Sequence, residues 1–175
     1  MTCHQTSSQA LVLGALLLLT GCGGGDSRDP ASTRSASAAS SGELDRCALL
    51  QAGEIEGAIG PHGAGSSDLS NMWGTQSCRW TATKVQPVEG YPDGWHDAIE
   101  VAVIDAKMTP MMRQQVTGDP VTGFVAGARY DNSNGDLWFD CPGGRLCVVK
   151  AHTASGDRRQ EIATQLARLV ESRLR

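Results

Sequence analysis

Ser77-Cys78-Arg79-Trp80-Thr81-Ala82-Thr83-Lys84 is the stretch whose reading decides the fold. Cys78, Trp80 and Ala82 alternate with Arg79, Thr81 and Thr83, so one side of the segment is apolar and the other polar. A period of two is the signature of a half-buried strand. The same pattern recurs over Ala98–Asp105, where Ile99, Val101 and Val103 oppose Glu100 and Ala102. The turn-rich segment Pro87–Asp97 is expected to connect the two. Gly135–Cys141 and Leu146–Ala151 read as a hairpin around Pro142-Gly143-Gly144.

Outward from these strands the period changes. Asp157–Leu174 places Ile162, Leu166, Leu169, Val170 and Leu174 at spacings of three and four, with Arg158, Glu161, Arg168 and Glu171 mostly on other faces. That is an amphipathic helix. Earlier, Asp45 can cap a short turn carrying Cys47, Leu49 and Leu50, and Glu54–Ile59 reads as a helix stopped by Gly60-Pro61. The Gly- and Ser-rich stretch His62–Asn71 reads as a loop, and Lys107–Val116 as a short helix with Pro110 in its first turn. Strands framed by an early and a final helix predict an α+β fold, an antiparallel sheet with N- and C-terminal helices packed on it.

Before the folded part, the apolar run Ala10–Leu19 ends in Leu19-Thr20-Gly21-Cys22. A bilayer core needs ~20 apolar residues, so this run is too short to span it and reads as a cleavable export signal. The Leu, small, Gly, Cys order resembles a bacterial lipobox, which implies cleavage before Cys22 and lipidation of its thiol. The leading segment Met1–Gln9 carries His4 but no Lys or Arg, a departure from ordinary export signals. Gly23–Gly42 has no aliphatic side chain larger than Ala, so it cannot offset its ordering entropy and reads as a tether. The expected organisation is a signal peptide over 1–21, the lipidated Cys22 and tether over 22–42, and one domain over 43–175. The expected location is the extracytoplasmic side of the plasma membrane, or an outer membrane where the organism has one. The membrane, through the lipid anchor, is the first expected partner.

Six cysteines are present. Cys3 leaves with the signal and Cys22 takes lipid, which leaves Cys47, Cys78, Cys141 and Cys147. An even number in an exported domain reads as two disulfides, with three connectivities open. Cys141 and Cys147 flank a tight loop on the face of Phe139, Val149 and Ala151, so we favour that pair, with Cys47–Cys78 as the other. The chain has neither a CxxC nor a paired His spacing, so no metal or cofactor is expected.

Arg46-Cys47-Ala48-Leu49-Leu50, Glu54-Ile55, Gly60 and Cys78-Arg79-Trp80 together resemble the actinobacterial lipoproteins grouped as domain of unknown function 3558. The likeness extends more loosely to extracellular sensor domains of receptor kinases. It covers about residues 43–175, and the final helix Gln160–Leu174 fits it. It implies a Mog1/PsbP-like fold, an antiparallel sheet with helices on its faces. Gln51-Ala52-Gly53 stands where that family starts its helix with Thr or Ser and Pro. The resemblance carries no catalytic residue.

The net charge of −4 gives no electrostatic footprint for nucleic acid. Asp93-Gly94-Trp95-His96-Asp97 is the densest polar cluster. Two carboxylates beside an imidazole suit metal binding or acid–base work, yet residues in such a connection commonly serve turns. His62 and His152 read as surface histidines. Asp131-Asn132-Ser133-Asn134-Gly135-Asp136 is similar to a calcium loop, but its Gly is fifth rather than sixth and no Glu stands twelfth. Asn134-Gly135 makes it a reverse turn. There is no G-x-S-x-G elbow and no phosphate-cradling loop.

Trp accounts for four of only eight aromatic residues. Trp80 belongs to the core face of its strand, whereas Trp73, Trp95 and Trp138 are candidate contacts for a ligand or partner. The expectation is therefore a non-enzymatic, lipid-anchored envelope domain. It would bind a small molecule, an envelope component or a protein through a cleft between sheet and helices. The alternatives are a small hydrolase or metal-binding protein using Asp93, His96 and Asp97, and an accessory subunit of an envelope complex.

Overall fold

The alternation of Cys78, Trp80 and Ala82 is realised in a long strand, β2 (Thr75–Val88), in a computed structural model that describes residues 44–70 and 75–175. β2 pairs antiparallel with β3 (Tyr91–Ile104), setting Cys78 opposite Val101 and Trp80 opposite Ile99. From β3 the chain crosses through α2 (Thr109–Arg113) to the far edge of the sheet. It then walks back through β4 (Asp119–Val121), β5 (Ala128–Asp131), β6 (Asp136–Cys141) and β7 (Arg145–His152), and β7 closes against β3. With β1 (Ser66–Ser70) outside β2, the result is one antiparallel sheet of seven strands in the order β1-β2-β3-β7-β6-β5-β4.

Register gathers the main apolar positions of five strands on one face. Cys78, Val101, Val149, Leu137 and Tyr130 lie in a single cross-strand row, with Trp80, Ile99, Ala151 and Phe139 on the same side. The final helix, α3 (Arg159–Leu174), covers this face with Ile162, Ala163, Leu166, Ala167 and Val170. Leu49, Leu50, Ile55 and Ile59 complete the core from the N-terminal side. Each fully buried side chain of this size contributes roughly 1.5–3 kcal/mol, so this face holds most of the folding energy. A smaller cluster of Ile104, Met112 and Leu146 sits under α2 on the opposite face.

Local chemistry explains the ends of the elements. Asp45 accepts a hydrogen bond from the Cys47 N–H at 2.9 Å and caps the turn Arg46–Leu49. α1 (Ala52–Ile59) begins two residues ahead of Glu54 because the Glu54 carboxylate reaches back to the Gln51 N–H at 2.7 Å. That contact replaces the missing Ser or Thr cap. Arg173 donates from both Nη atoms to Glu54 at 2.6 and 2.7 Å and to the Leu49 carbonyl at 2.6 Å, tying the end of α3 to the start of α1. Gly65 has to be glycine, since a Cβ there would lie 2.6 Å from Trp80 Nε1 and 2.7 Å from Cys78 Sγ.

Both favoured disulfides are present, Cys47–Cys78 with Cα atoms 5.1 Å apart and Cys141–Cys147 at 5.9 Å. The segment Asp131–Gly135 is a turn, closed by the Gly135 N–H donating to the Asp131 carbonyl at 2.9 Å.

Three expectations are corrected. The stretch His62–Asn71 is not all loop, because Ser66–Ser70 forms the edge strand β1. Backbone pairing on one side needs no apolar alternation, so the sequence carries no sign of it. Pro87–Asp97 is not a turn-rich connection. β2 and β3 run on as a two-stranded arm to Val88 and Tyr91, which close on Glu89-Gly90 with Gly90 at φ +85°. β7 stops pairing with β3 at Ala98–His152, so Pro92 in the arm interrupts no ladder on that side. Finally, Glu171 does not sit on the outer face of the last helix. It is buried, accepting from the Val125 N–H at 2.9 Å and pairing with Arg175 at 3.0 Å.

Among the described residues no helix is long and apolar enough to cross a membrane. Cys22 and the segments 1–21 and 22–42 lie outside the described residues.

Candidate functional site

The face of the sheet turned away from α3 carries a row of charges that only strand register reveals. Arg79 of β2 stands opposite Glu100 of β3, and Glu100 opposite Lys150 of β7. Lys150 in turn stands opposite Asp136 of β6, and Asp136 opposite Asp131 of β5. Directly opposed cross-strand partners have Cβ atoms about 5 Å apart, close enough to interact. The next row on this face is Ser77, Ala102, Val148, Trp138 and Arg129.

Ala102 and Val148 are short, so the sheet surface dips between the charges and the taller Trp138. Met112 of α2, the following Gln115 and Thr117, and Asp131 and Asn134 of the turn after β5 together wall the dip. The outcome is a cleft of about 200 Å³ with an apolar half at Ile104, Met112, Val148 and Trp138 and a polar half at Glu100, Lys150 and Asp136.

The polar half is unevenly satisfied. Lys150 Nζ lies 3.3 Å from Asp136 Oδ2, and Arg79 Nη1 lies 3.7 Å from Glu100 Oε2. Asp131 accepts from Thr117 Oγ1 at 2.6 Å, the Ser133 N–H at 2.9 Å, Asn134 Nδ2 at 3.2 Å and the Ser133 hydroxyl. These bonds, the Ser133 hydroxyl foremost, hold its carboxyl down at about 2. Asp136 is the opposite case. Its side chain is 8% exposed, and its Oδ1 is buried with no hydrogen-bond partner. Burial pushes its carboxyl above the ordinary carboxylate range, against the pull of Lys150, and Asp131 and Glu100 push the same way as burial. Beside the row, burial also lowers His152, with Arg79 and Lys150 adding to the effect.

Trp138 is a shared wall, since a second groove of about 470 Å³, with Arg113, Arg129 and Asp140 in its lining, lies against it. The other tryptophans are elsewhere. Trp80 is in the core. Trp95 lies on the arm, its ring meeting Tyr91 edge-on at 5.0 Å. Trp73 lies outside the described residues.

The Asp93, His96 and Asp97 cluster is in a strand rather than a turn; alternation sends His96 to the face opposite Asp97, and a bulge with Gly94 at φ +79° separates Asp93 from both. Asp97 accepts from the Ala154 N–H at 2.7 Å, and His96 Nδ1 donates to the Ala82 carbonyl at 2.9 Å. These three groups therefore do not converge on one point. His62 bridges the Ala52 and Gly63 carbonyls. No group of three or more His, Cys, Asp or Glu side chains that could hold a metal occurs among the described residues.

Sequence reasoning passed over Glu100, Asp136 and Lys150. Each appears as an unremarkable polar position of an alternating strand, and Asp136 as the last residue of a turn. Comparison with protein-family models, with curated proteins and with solved structures finds no match to this chain.

Proposed function

We propose that the chain is a lipid-anchored envelope lipoprotein whose α+β domain binds a small ligand in the cleft between Trp138 and the charged row. The observation that carries this reading is a recess with apolar and polar halves on the face that α3 leaves uncovered, with Trp138 as its aromatic wall. Small-molecule sites combine these features, apolar walls with a few fixed polar groups. The floor is made of paired strands, so the polar groups are held in place before a ligand arrives.

The lipobox-like Leu19-Thr20-Gly21-Cys22 and the Gly- and Ser-rich tether support display of this domain outside the cytoplasm. Two disulfides fit an oxidising compartment. The resemblance to the domain of unknown function 3558 lipoproteins, with a Mog1/PsbP-like arrangement, is supported by α1 and α3 packing into one core on an antiparallel sheet.

The test is a ligand-observed NMR screen of the full chain against small molecules extracted from envelope material. Binders should lose affinity in Trp138→Ala, which opens the wall of the cleft. Binding to wild type and variant alike would place the ligand elsewhere and overturn the reading.

A further inference from the structure

The charges of the cleft do not balance, and the imbalance names a ligand class; this rests on the ligand-binding reading above. Glu100, Asp131 and Asp136 face one Lys150 across the lining. Lys150 already spends its charge on Asp136 Oδ2. Arg79, the other cation of the row, spends its own on Glu100. Asp131 is saturated by four donors of its own turn and of Thr117. Asp136 Oδ1 is left as a buried acceptor without a donor, an arrangement that folded proteins rarely keep without a reason.

A ligand that completes this site brings a hydrogen-bond donor, and in a cleft of net negative charge a positively charged donor gains most. An anionic head group would meet three carboxylates. A metal ion has no group of three or more suitable side chains among the described residues, and the apolar half could not replace its water shell. That half, Ile104, Met112, Val148 and Trp138, instead suits a hydrocarbon body. At about 200 Å³ the cleft lies below the ~300–1,000 Å³ of drug-sized sites, so the body is limited to about one ring or a short chain.

We propose that the cleft binds a small primary amine, its ammonium taking the place of Lys150 on the Asp136 carboxylate and its apolar body lying against Trp138 and Val148. Lys150 is then the built-in competitor, holding Oδ2 of that carboxylate at 3.3 Å until an amine displaces it.

The test titrates the full chain with phenethylamine and with 2-phenylethanol, a neutral probe of nearly the same shape, by calorimetry. The amine should bind at least about 10-fold more tightly than the alcohol, the value of one charge-assisted hydrogen bond. Asp136→Asn should erase that preference, Lys150→Gln should tighten the amine, and Trp138→Ala should weaken both probes. Melting curves of each variant establish that it is folded. Equal affinity for the two probes, or amine binding unchanged in Asp136→Asn, overturns the amine assignment while a loss in Trp138→Ala still upholds the cleft. No binding of either probe to the wild type overturns the amine assignment as well, and the envelope screen then judges the cleft by itself.

Discussion

Asp136→Asn should leave the protein at least as stable as the wild type at neutral pH, although it breaks an ion pair. The pair with Lys150 spans 3.3 Å, and the two side chains are 20% and 8% exposed. A charge-assisted bond of this kind contributes about 1.5–3 kcal/mol, and leaving Oδ1 buried without a partner costs about 1–3 kcal/mol. The two nearly cancel, and the raised carboxyl of Asp136 shows that burial prevails over Lys150. The native state therefore holds this proton more tightly than the unfolded chain does. Wild-type stability from this group is fully present below the unfolded carboxylate value. It is lost as pH rises through the folded one, at about 1.4 kcal/mol for each unit of displacement. Asn has no proton to lose, so urea melts of both proteins across a pH series isolate the effect, the other carboxylates cancelling in the difference. Wild type minus variant should step downward as pH rises above about 4, ending near zero or up to about 1 kcal/mol negative at neutral pH. A difference that rises with pH would mean that the Lys150 pair outweighs burial, and would refute the reasoning.

The two disulfides close loops of very different length, with sequence separations of 31 and 6. In the chain-entropy model they are worth about 3.7 and 2.4 kcal/mol, so replacing Cys47 and Cys78 by Ala should cost about 1 kcal/mol more than replacing Cys141 and Cys147, read by urea denaturation. The reverse order would show that packing around Cys141 outweighs loop closure. For the anchor, Cys22→Ser should move the protein from the membrane to the soluble fraction and remove the mass of the acyl chains. An unchanged membrane fraction would rule out lipidation at Cys22 as the source of attachment.

Local periodicity made much of the fold legible. Cys78, Trp80 and Ala82, and Ile162, Leu166 and Val170, announce their faces within a few residues of sequence, and the Cys141–Cys147 spacing allows a bridge across one turn. What escaped the reading depends on partners distant in the chain. Glu171 is drawn inward by the Val125 N–H, 46 residues away. The Pro and Gly residues of Pro87–Asp97 signal turns, yet they sit in an arm whose strands pair with each other beyond the reach of β7. The candidate site was hardest to see for the same reason. Arg79, Glu100, Lys150, Asp136 and Asp131 come from five strands and form a row only after every register is fixed.

A sheet covered on one face needs only polar residues on the other, and charges left in water would hold that face at little cost. This sheet does something more expensive. Met112, Thr117 and Asn134 stand around the dip, and Asp136 is withdrawn from water beside two other carboxylates. The backbone cannot relieve this by shifting, because the core row lies directly behind the cleft. Cys78, Val101, Val149 and Leu137 are fully buried, and Cys78 is bridged to Cys47. Close packing resists displacement of even a methylene group, so Asp136 stays where the strands put it. A buried, under-satisfied charge on a rigid floor adds nothing to folding, and such breaches of local rules are characteristic of functional sites. The core beneath supplies the stability that the cleft forgoes, and in doing so fixes the geometry with which a cation would be met.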